Sequence, residues 1–293
     1  MERFFQLVVD GIATGAIYAL VALALVLIFR STGLVNLAQG EMAMFATFIA
    51  WQLNNWGLNV WLALIITMVV AFIGGLVIQR VIIRPVQHAS ELTIVIVTLG
   101  LFLGFNSLAG WIWGYILKSF PSPFPDDVWT MGEVRLSAST LGTIAVLLVL
   151  AGGLFVLFQF TKVGLAMRAV AYNVESSQLV GIRVSQMLML GWGLASALGA
   201  AAGVFIAPKL FLDPNLMAGV LIYAIAAAAV GGLDSPVGAV VGGISIGVIE
   251  NLAGSYIGFV GTDLKILVPL VLIVVVLLFR PEGLFGSRQV VRV

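Results

Sequence analysis

The sequence predicts an all-α, polytopic membrane bundle of eight or nine spans, and three observations predict it. Apolar residues make up 61% of the 293 positions and charged residues only 9%. Mean hydropathy is +1.17. The apolar positions also gather into long runs separated by short polar stretches. A soluble surface needs about 25% charged residues. With 14 Lys and Arg and 13 Asp and Glu in the whole chain, too little polar material exists to coat a globule, so most of the exterior must face lipid.

The first run, Leu7–Phe29, is longer than the roughly 7–15 residues of a signal-peptide core and has no small-residue cleavage site after it, which predicts a retained helix. The remaining candidate spans are Val35–Leu53, Trp61–Ile78, Leu92–Leu117, Leu141–Phe158, Met187–Ala207, Met217–Val230, Gly238–Ile257 and Leu264–Phe279. Two are ambiguous. Met217–Val230 is short and ends in Gly231-Gly232, while Val35–Leu53 begins with Asn36, Gln39 and Glu41, so each is either a full span or a broken or re-entrant one. The expected organisation is one transmembrane domain over residues 1–293.

Two connections stand out. Lys118–Thr140, with Pro121, Pro123 and Pro125, is too polar and Pro-rich to be helical throughout and reads as an outer loop. Thr161–Gln186 is rich in helix formers, with Leu165, Arg168, Ala169 and Tyr172 at three- and four-residue spacing and Gly181 where a helix stop belongs. It predicts one or two short cytoplasmic helices beside the membrane.

Lys and Arg accumulate on the cytoplasmic side. With alternating spans and the C-terminus inside, the inner set is Arg30, Arg80, Arg84, Lys162, Arg168, Arg183, Arg280, Arg288 and Arg292. The smaller outer set is Arg3, Lys118, Arg135, Lys209 and Lys265, accompanied by Asp126, Asp127, Glu133 and Asp213. This bias predicts an outside N-terminus and a cytoplasmic C-terminus. A weak internal repeat fits the same topology: Ile17-Tyr18-Ala19 opens a run to Gly33-Leu34, and Ile222-Tyr223-Ala224 opens one to Gly232-Leu233. Both copies would run from outside to inside, as a parallel repeat requires.

The chemistry available to this chain is narrow. It has no cysteine and one histidine, which leaves no disulfide framework or thiolate metal site and little for acid–base work. A net charge of +1 gives no field for nucleic acid. There is no G-x-x-x-x-G-K-[ST] phosphate loop, no H-E-x-x-H and no G-x-S-x-G. The expected protein is a conduit rather than an enzyme, without a cofactor or metal of its own. Energy for uphill transport would come from a partner.

Charged groups inside a span cost about 2.5–3.5 kcal/mol at the helix centre, so each needs a partner or a wet cavity. Asn36, Gln39 and Gly40 share a face if helical, with Glu41 off to one side. They are either a capped helix start or part of the substrate path and its inner gate. Glu250 and Asn251 fall late in their span, either paired with neighbours or on the path. Gly231-Gly232-Leu233-Asp234-Ser235-Pro236 forces a break and a helix cap, read either as an inner hinge at Gly231, Gly232 and Asp234 or as a connecting turn. Small residues at four-residue spacing, Gly238/Gly242 and Ala195/Gly199/Gly203, predict close helix crossings.

Several of these segments, in this order, resemble a known family. Gly15 to Ala22, Gly33-Leu34-Val35-Asn36-Leu37-Ala38-Gln39-Gly40-Glu41-Met42, Arg84-Pro85-Val86, Gly164 to Ile182, Gly231 to Gly238 and Arg280 to Gly286 are similar to the permease subunits of branched-chain amino-acid ABC importers. The short N-terminus resembles the H-type member of the paired H and M permeases, and Gln39 stands where many relatives carry His. The resemblance implies a multi-pass protein of the bacterial inner membrane that carries leucine, isoleucine and valine by alternating access. It implies as partners an M-type paralogue, two cytosolic ATPase subunits that bind the ATP, and an extracytoplasmic solute-binding protein. Residues 161–186 would be the coupling segment, with Arg168, Ala171, Glu175 and Gly181 touching the ATPase. Urea and short-chain amide importers share the family, and an ATP-independent facilitator has the same composition, so both remain alternatives.

Overall fold

The computed structural model describes residues 2–33, 35–87, 89–131, 134–261 and 264–286. In chain order it contains α1 (Glu2–Thr32), α2 (Gln39–Asn55) and α3 (Val60–Ile78), which runs on through a π-turn (Gln79–Ile83) into α4 (Arg84–Val86). There follow α5 (Glu91–Trp113), β1 (Val128–Met131), β2 (Val134–Ser137) and α6 (Ala138–Phe160). The chain continues with α7 (Lys162–Tyr172), α8 (Val174–Leu179), α9 (Val184–Leu210), α10 (Leu216–Gly231), α11 (Pro236–Tyr256) and α12 (Leu267–Phe279). Leu34, Glu133, Arg288 and Arg292, used above for the repeat and the orientation, lie outside the described residues.

This is a polytopic helical membrane protein, and a helix stands at each of the nine predicted runs among the described residues. Six segments are long and apolar enough to cross a membrane: Arg3–Arg30, Val60–Val86, Glu91–Trp113, Ala138–Phe160, Val184–Leu210 and Pro236–Tyr256. The stripe Ile65, Val69, Ile73 and Val77 on α3 is exposed and wholly apolar, as a lipid-facing surface must be. Each of the two ambiguous runs contains one short helix, which in the first begins only at Gln39. At 17 and 16 residues, α2 and α10 are about 25 Å long, less than the roughly 30 Å of hydrocarbon.

The loop 118–140 contains a short antiparallel hairpin, with Val128 opposite Ser137 and Met131 opposite Val134, within an otherwise helical fold. Val, Trp and Thr favour that pleated surface. Next, α6 starts at Ala138 rather than Leu141, because the Ser137 hydroxyl accepts from Thr140 N at 3.0 Å and caps three polar or small residues ahead of the first leucine. Finally, Asn36 is not helical. The N-cap of α2 is Ala38, so the helical-face arithmetic for Asn36, Gln39 and Gly40 does not apply.

The described residues form two compact units. Unit 1 draws on Met1–Val26, Phe124–Leu147 and Gly219–Val293, and unit 2 on Leu27–Pro123 and Leu148–Ala218.

In unit 1, α1 and α11 cross through two pairs of glycines four residues apart. A Cβ on Gly11 would lie 2.6 Å from Val248 Cα, one on Gly15 2.6 Å from the Gly243 carbonyl, and one on Gly243 2.5 Å from Ala19 N. Only glycine allows that approach, the usual source of van der Waals cohesion between membrane helices. The hairpin is tied to α1 by Gln6, which accepts from Arg135 N at 2.7 Å and donates to Arg135 O at 3.1 Å. After α12, the segment from Arg280 returns to the end of α10, where Leu284 N donates to Val230 O at 2.8 Å and Phe285 N to Gly231 O at 2.9 Å.

In unit 2, α9 lies between α2 and α3. Its stripe Ala195, Gly199, Gly203 receives Gln39, Ala43 and Thr47 of α2, which confirms that the small-residue spacing is a packing signal. On the other side, Gly75 of α3 sits against the Trp192 backbone and the Ser196 hydroxyl. Trp113 of α5 stacks on Phe48 at 4.9 Å and donates to Gln52 Oε1 at 3.1 Å, which fixes α5 to α2.

Candidate functional site

The site is set by where α2 begins. Helix α1 ends at Gly33, whose φ is +74°, and the backbone from Val35 to Ala38 is non-helical. Within this stretch Asn36 Oδ1 accepts from Ala38 N at 3.1 Å, and Asn36 O accepts from Gln39 N at 3.2 Å. An Asn side chain that bonds backbone two residues on makes a turn without a helix. Gln39, fully buried, then donates from Nε2 to Ala195 O at 3.0 Å. Ala195 lies about 16 Å along the axis of α9 from Val184, at 1.5 Å per residue. Helix α2 therefore starts partway along α9 and covers only its later turns.

The earlier turns of α9 face a cavity of about 600 Å³ instead. Ser185, Leu188 and Trp192 line it at three- and four-residue spacing, one face of the helix. Gln79, Ile83 and Arg84 come from the π-turn and its end, and Ile94 and Thr98 from the start of α5. Val174, Glu175 and Gln178 of α8 close another side, and Asn36 and Val35 complete the lining. A π-turn admits one extra residue per turn and commonly marks a functional site. Here Gln79 and Ile83, its two ends, are both buried in the wall.

Among the residues of this wall, Gln79 and Trp192 each carry a buried polar atom without a hydrogen-bond partner, the acceptor Oε1 and the donor Nε1. Each residue is 1% exposed. An unmet buried polar group costs about 1–3 kcal/mol, so such a pair beside an open volume is suited to a polar ligand.

Of the residues predicted for a path or gate, Asn36 lines the cavity. Gln39 and Glu41 do not; they hold the start of α2. Gln39 Oε1 accepts a long bond from Asn36 Nδ2 at 3.4 Å. Glu41 accepts at 3.4 Å from Asn106 Nδ2 of α5, which also donates to Pro214 O at 2.8 Å. Glu250 belongs to unit 1, where its Oε2 accepts from the Tyr18 hydroxyl at 2.9 Å. Asn251, the next residue on α11, is half-buried.

The segment 161–186 forms two helices. Thr161 caps α7 through Gly164 N at 3.0 Å, Asn173 caps α8 through Ser176 N at 2.8 Å, and Gly181 at φ +84° ends it. The buried face of α7 is Gly164, Met167 and Val170, with Val170 against Val184 and Leu188. Ala171, Glu175 and Gly181 are exposed, but Arg168 is half-buried and donates to Gln159 Oε1 at 3.2 Å. The most exposed apolar residues here are Tyr172, Leu179 and Val180.

Gly231 and Gly232 form a clasped joint in unit 1. Gly231 lies against the Gly238 carbonyl, and a Cβ on Gly232, at φ +110°, would meet Gly286 N at 2.6 Å. Asp234 is half-buried, and Ser235 rather than Asp234 caps α11, accepting from Gly238 N at 3.0 Å.

Sequence reasoning missed Gln79, Thr98, Trp192 and Asn106. Gln79 fell one residue past the predicted end of its span, and the others are single polar or aromatic residues in apolar runs.

The chain is similar to permeases over nearly its whole length. It is 27% identical to the high-affinity branched-chain amino acid transport system permease protein LivH of Salmonella typhimurium, covering 99% of this chain and 98% of that one. It is 27% identical to the corresponding BraD of Pseudomonas aeruginosa, with the same coverage. To the probable LivH of Methanocaldococcus jannaschii it is 28% identical, over 96% of this chain and 92% of that one. The family model described as branched-chain amino acid transport system / permease component matches residues 7–277. This match, which spans most of the chain, establishes that the chain belongs to the branched-chain amino acid transport system permease family.

Proposed function

We propose that this chain is the membrane-spanning permease subunit of an ATP-driven importer for leucine, isoleucine and valine in a bacterial inner membrane. The observation that carries the reading is the family match over residues 7–277, together with full-length relatives named for high-affinity transport of these amino acids. The chain has no phosphate loop, so ATP would be bound and hydrolysed by two cytosolic ATPase subunits. A second, M-type permease would complete the membrane part and an extracytoplasmic binding protein would deliver the cargo.

The helices α7 and α8 suit the coupling role. They are capped at their starts, Val170 anchors α7 on α9, and Tyr172, Leu179 and Val180 stand out as apolar groups for a groove on the ATPase. Movement of α8 would reach the cavity directly, because Val174, Glu175 and Gln178 line it. Asn36 would then lie on the inner part of the substrate path, while Gly231, Gly232 and Asp234 would be a fixed elbow about which neighbouring helices move.

Labelled leucine uptake into proteoliposomes holding the chain with its co-purifying partners tests this. ATP-dependent accumulation is expected when binding protein is supplied. ATP-independent equilibration would make the protein a facilitator, and accumulation of urea in place of leucine would change the cargo.

A further inference from the structure

We infer that the cavity at the early turns of α9 binds a zwitterionic aliphatic α-amino acid, with Trp192 Nε1 donating to its carboxylate and Gln79 Oε1 accepting from its ammonium. The inference rests on the importer reading for its choice of cargo, and on the geometry for everything else.

The cavity exists because α2 starts opposite Ala195 and leaves Ser185, Leu188 and Trp192 uncovered. Its volume of about 600 Å³ lies inside the usual range of small-molecule sites, roughly 300–1,000 Å³. The wall includes an unpartnered donor, Trp192 Nε1, and an unpartnered acceptor, Gln79 Oε1, both on residues 1% exposed. An α-amino acid carries one acceptor group and one donor group on the same carbon, so it meets both needs at once. Neither an ammonium, which only donates, nor a carboxylate, which only accepts, does so alone. Ile83, Ile94 and Leu188 supply an apolar surface for the side chain. Arg84 and Glu175, both exposed and both in the lining, put charges of opposite sign at the opening, which favours a ligand of zero net charge over an ion.

The absence of cysteine makes the test direct. Ser185→Cys or Thr98→Cys places one thiol in the wall, and Asn55→Cys places a control at the far end of α2. Reaction with a small methanethiosulfonate reagent is timed in proteoliposomes of the full complex with leucine, 4-methylpentanoate, 3-methylbutylamine or urea present. At about ten times its Kd, leucine should slow the wall thiols roughly tenfold by simple occupancy, leaving Asn55→Cys unchanged. The two leucine fragments and urea should protect weakly or not at all. Adding Trp192→Phe or Gln79→Met, which retain bulk, should weaken leucine protection roughly tenfold, the loss of one bond to a charged group, with the rate in the absence of leucine unchanged.

Leucine uptake is measured on the same vesicles. Accumulation without protection at either thiol overturns the site and leaves the importer reading intact, while protection without accumulation does the reverse. Absence of both overturns both. Equal protection by leucine and either fragment, or protection indifferent to Trp192→Phe and Gln79→Met, overturns the pairing.

Discussion

Tyr18 and Tyr223 stack with ring centroids 4.7 Å apart and planes 4° from parallel, and each is the tyrosine of an Ile-Tyr-Ala triplet. The two triplets open the two sequence runs compared above, so matching positions of those runs touch one another inside unit 1. The Tyr18 hydroxyl also donates to Glu250, joining α1, α10 and α11 through one cluster.

Replacing Tyr18 with Phe retains the stack and removes the bond to a carboxylate that is 7% exposed. It should destabilise the solubilised protein by about 1–3 kcal/mol. Tyr223→Leu, which loses the ring pair, should cost about 0.5–1.5 kcal/mol beyond the change in buried area. Thermal unfolding in detergent reads both, and a Tyr18→Phe protein as stable as the parent would remove the Glu250 bond from the account.

Glycines separate into two kinds. Gly15→Ala forces a methyl into the Gly243 carbonyl across the α1–α11 crossing and should prevent stable assembly of unit 1. Gly152→Ala on α6 meets nothing within 4 Å and should be neutral or stabilising by up to about 1 kcal/mol. Yields of monodisperse protein for the two variants should therefore differ sharply, and equal yields would discard the crossing as a determinant.

Leu179→Asp and Tyr172→Ala alter only exposed groups on α7 and α8. Both should reduce co-purification of the ATPase with little change in thermal stability. Arg168→Glu should behave differently, since it breaks the bond to Gln159 and puts a carboxylate in a half-buried position. Its main effect should be a lowered melting temperature, and a stable Arg168→Glu protein that loses the ATPase would return this residue to the docking surface.

Asn106 is the only donor to the Glu41 carboxylate among the hydrogen bonds described here, and Glu41 is 1% exposed. Asn106→Leu should cost about 1–3 kcal/mol, and Glu41→Gln in that background should recover part of it by removing the buried charge. Additive effects in this double-mutant cycle would show that the two side chains do not interact.

Much of the fold was legible because a membrane span advertises itself by length and composition, and Leu7–Phe29 or Met187–Ala207 can be little else. The boundaries were less so. Val35 and Leu37 extend an apolar run backwards from α2, and no periodicity reveals that Asn36 turns the chain there. That one misplacement hid the site. Ser185, Leu188 and Trp192 look like any helix face until α2 is known to begin opposite Ala195, and Gln79 looks like a boundary residue until the π-turn carries the helix on to Val86. The two runs beginning with the Ile-Tyr-Ala triplets also share local geometry: Gly33 and Gly232 both take positive φ after a helix, and Asn36 and Ser235 each follow three residues later with a side chain that accepts a backbone N–H. That Arg168 is half-buried and bonded to Gln159 was not legible, because helical spacing identifies a face without saying which way it turns.

The bonds from Leu284 and Phe285 to Val230 and Gly231 set an order of biosynthesis. The last carbonyls of α10 are made some fifty residues before the amides that satisfy them. While α11 and α12 are still emerging from the ribosome, the end of α10 must rely on water or the insertion machinery for its hydrogen bonds. A chain stopped at Arg280 would carry every apolar helix and still leave that joint unsealed. Quality-control proteases that sample unfinished membrane proteins would find their opening there, so the half-life of such a truncated chain reports on the latch rather than on the bundle.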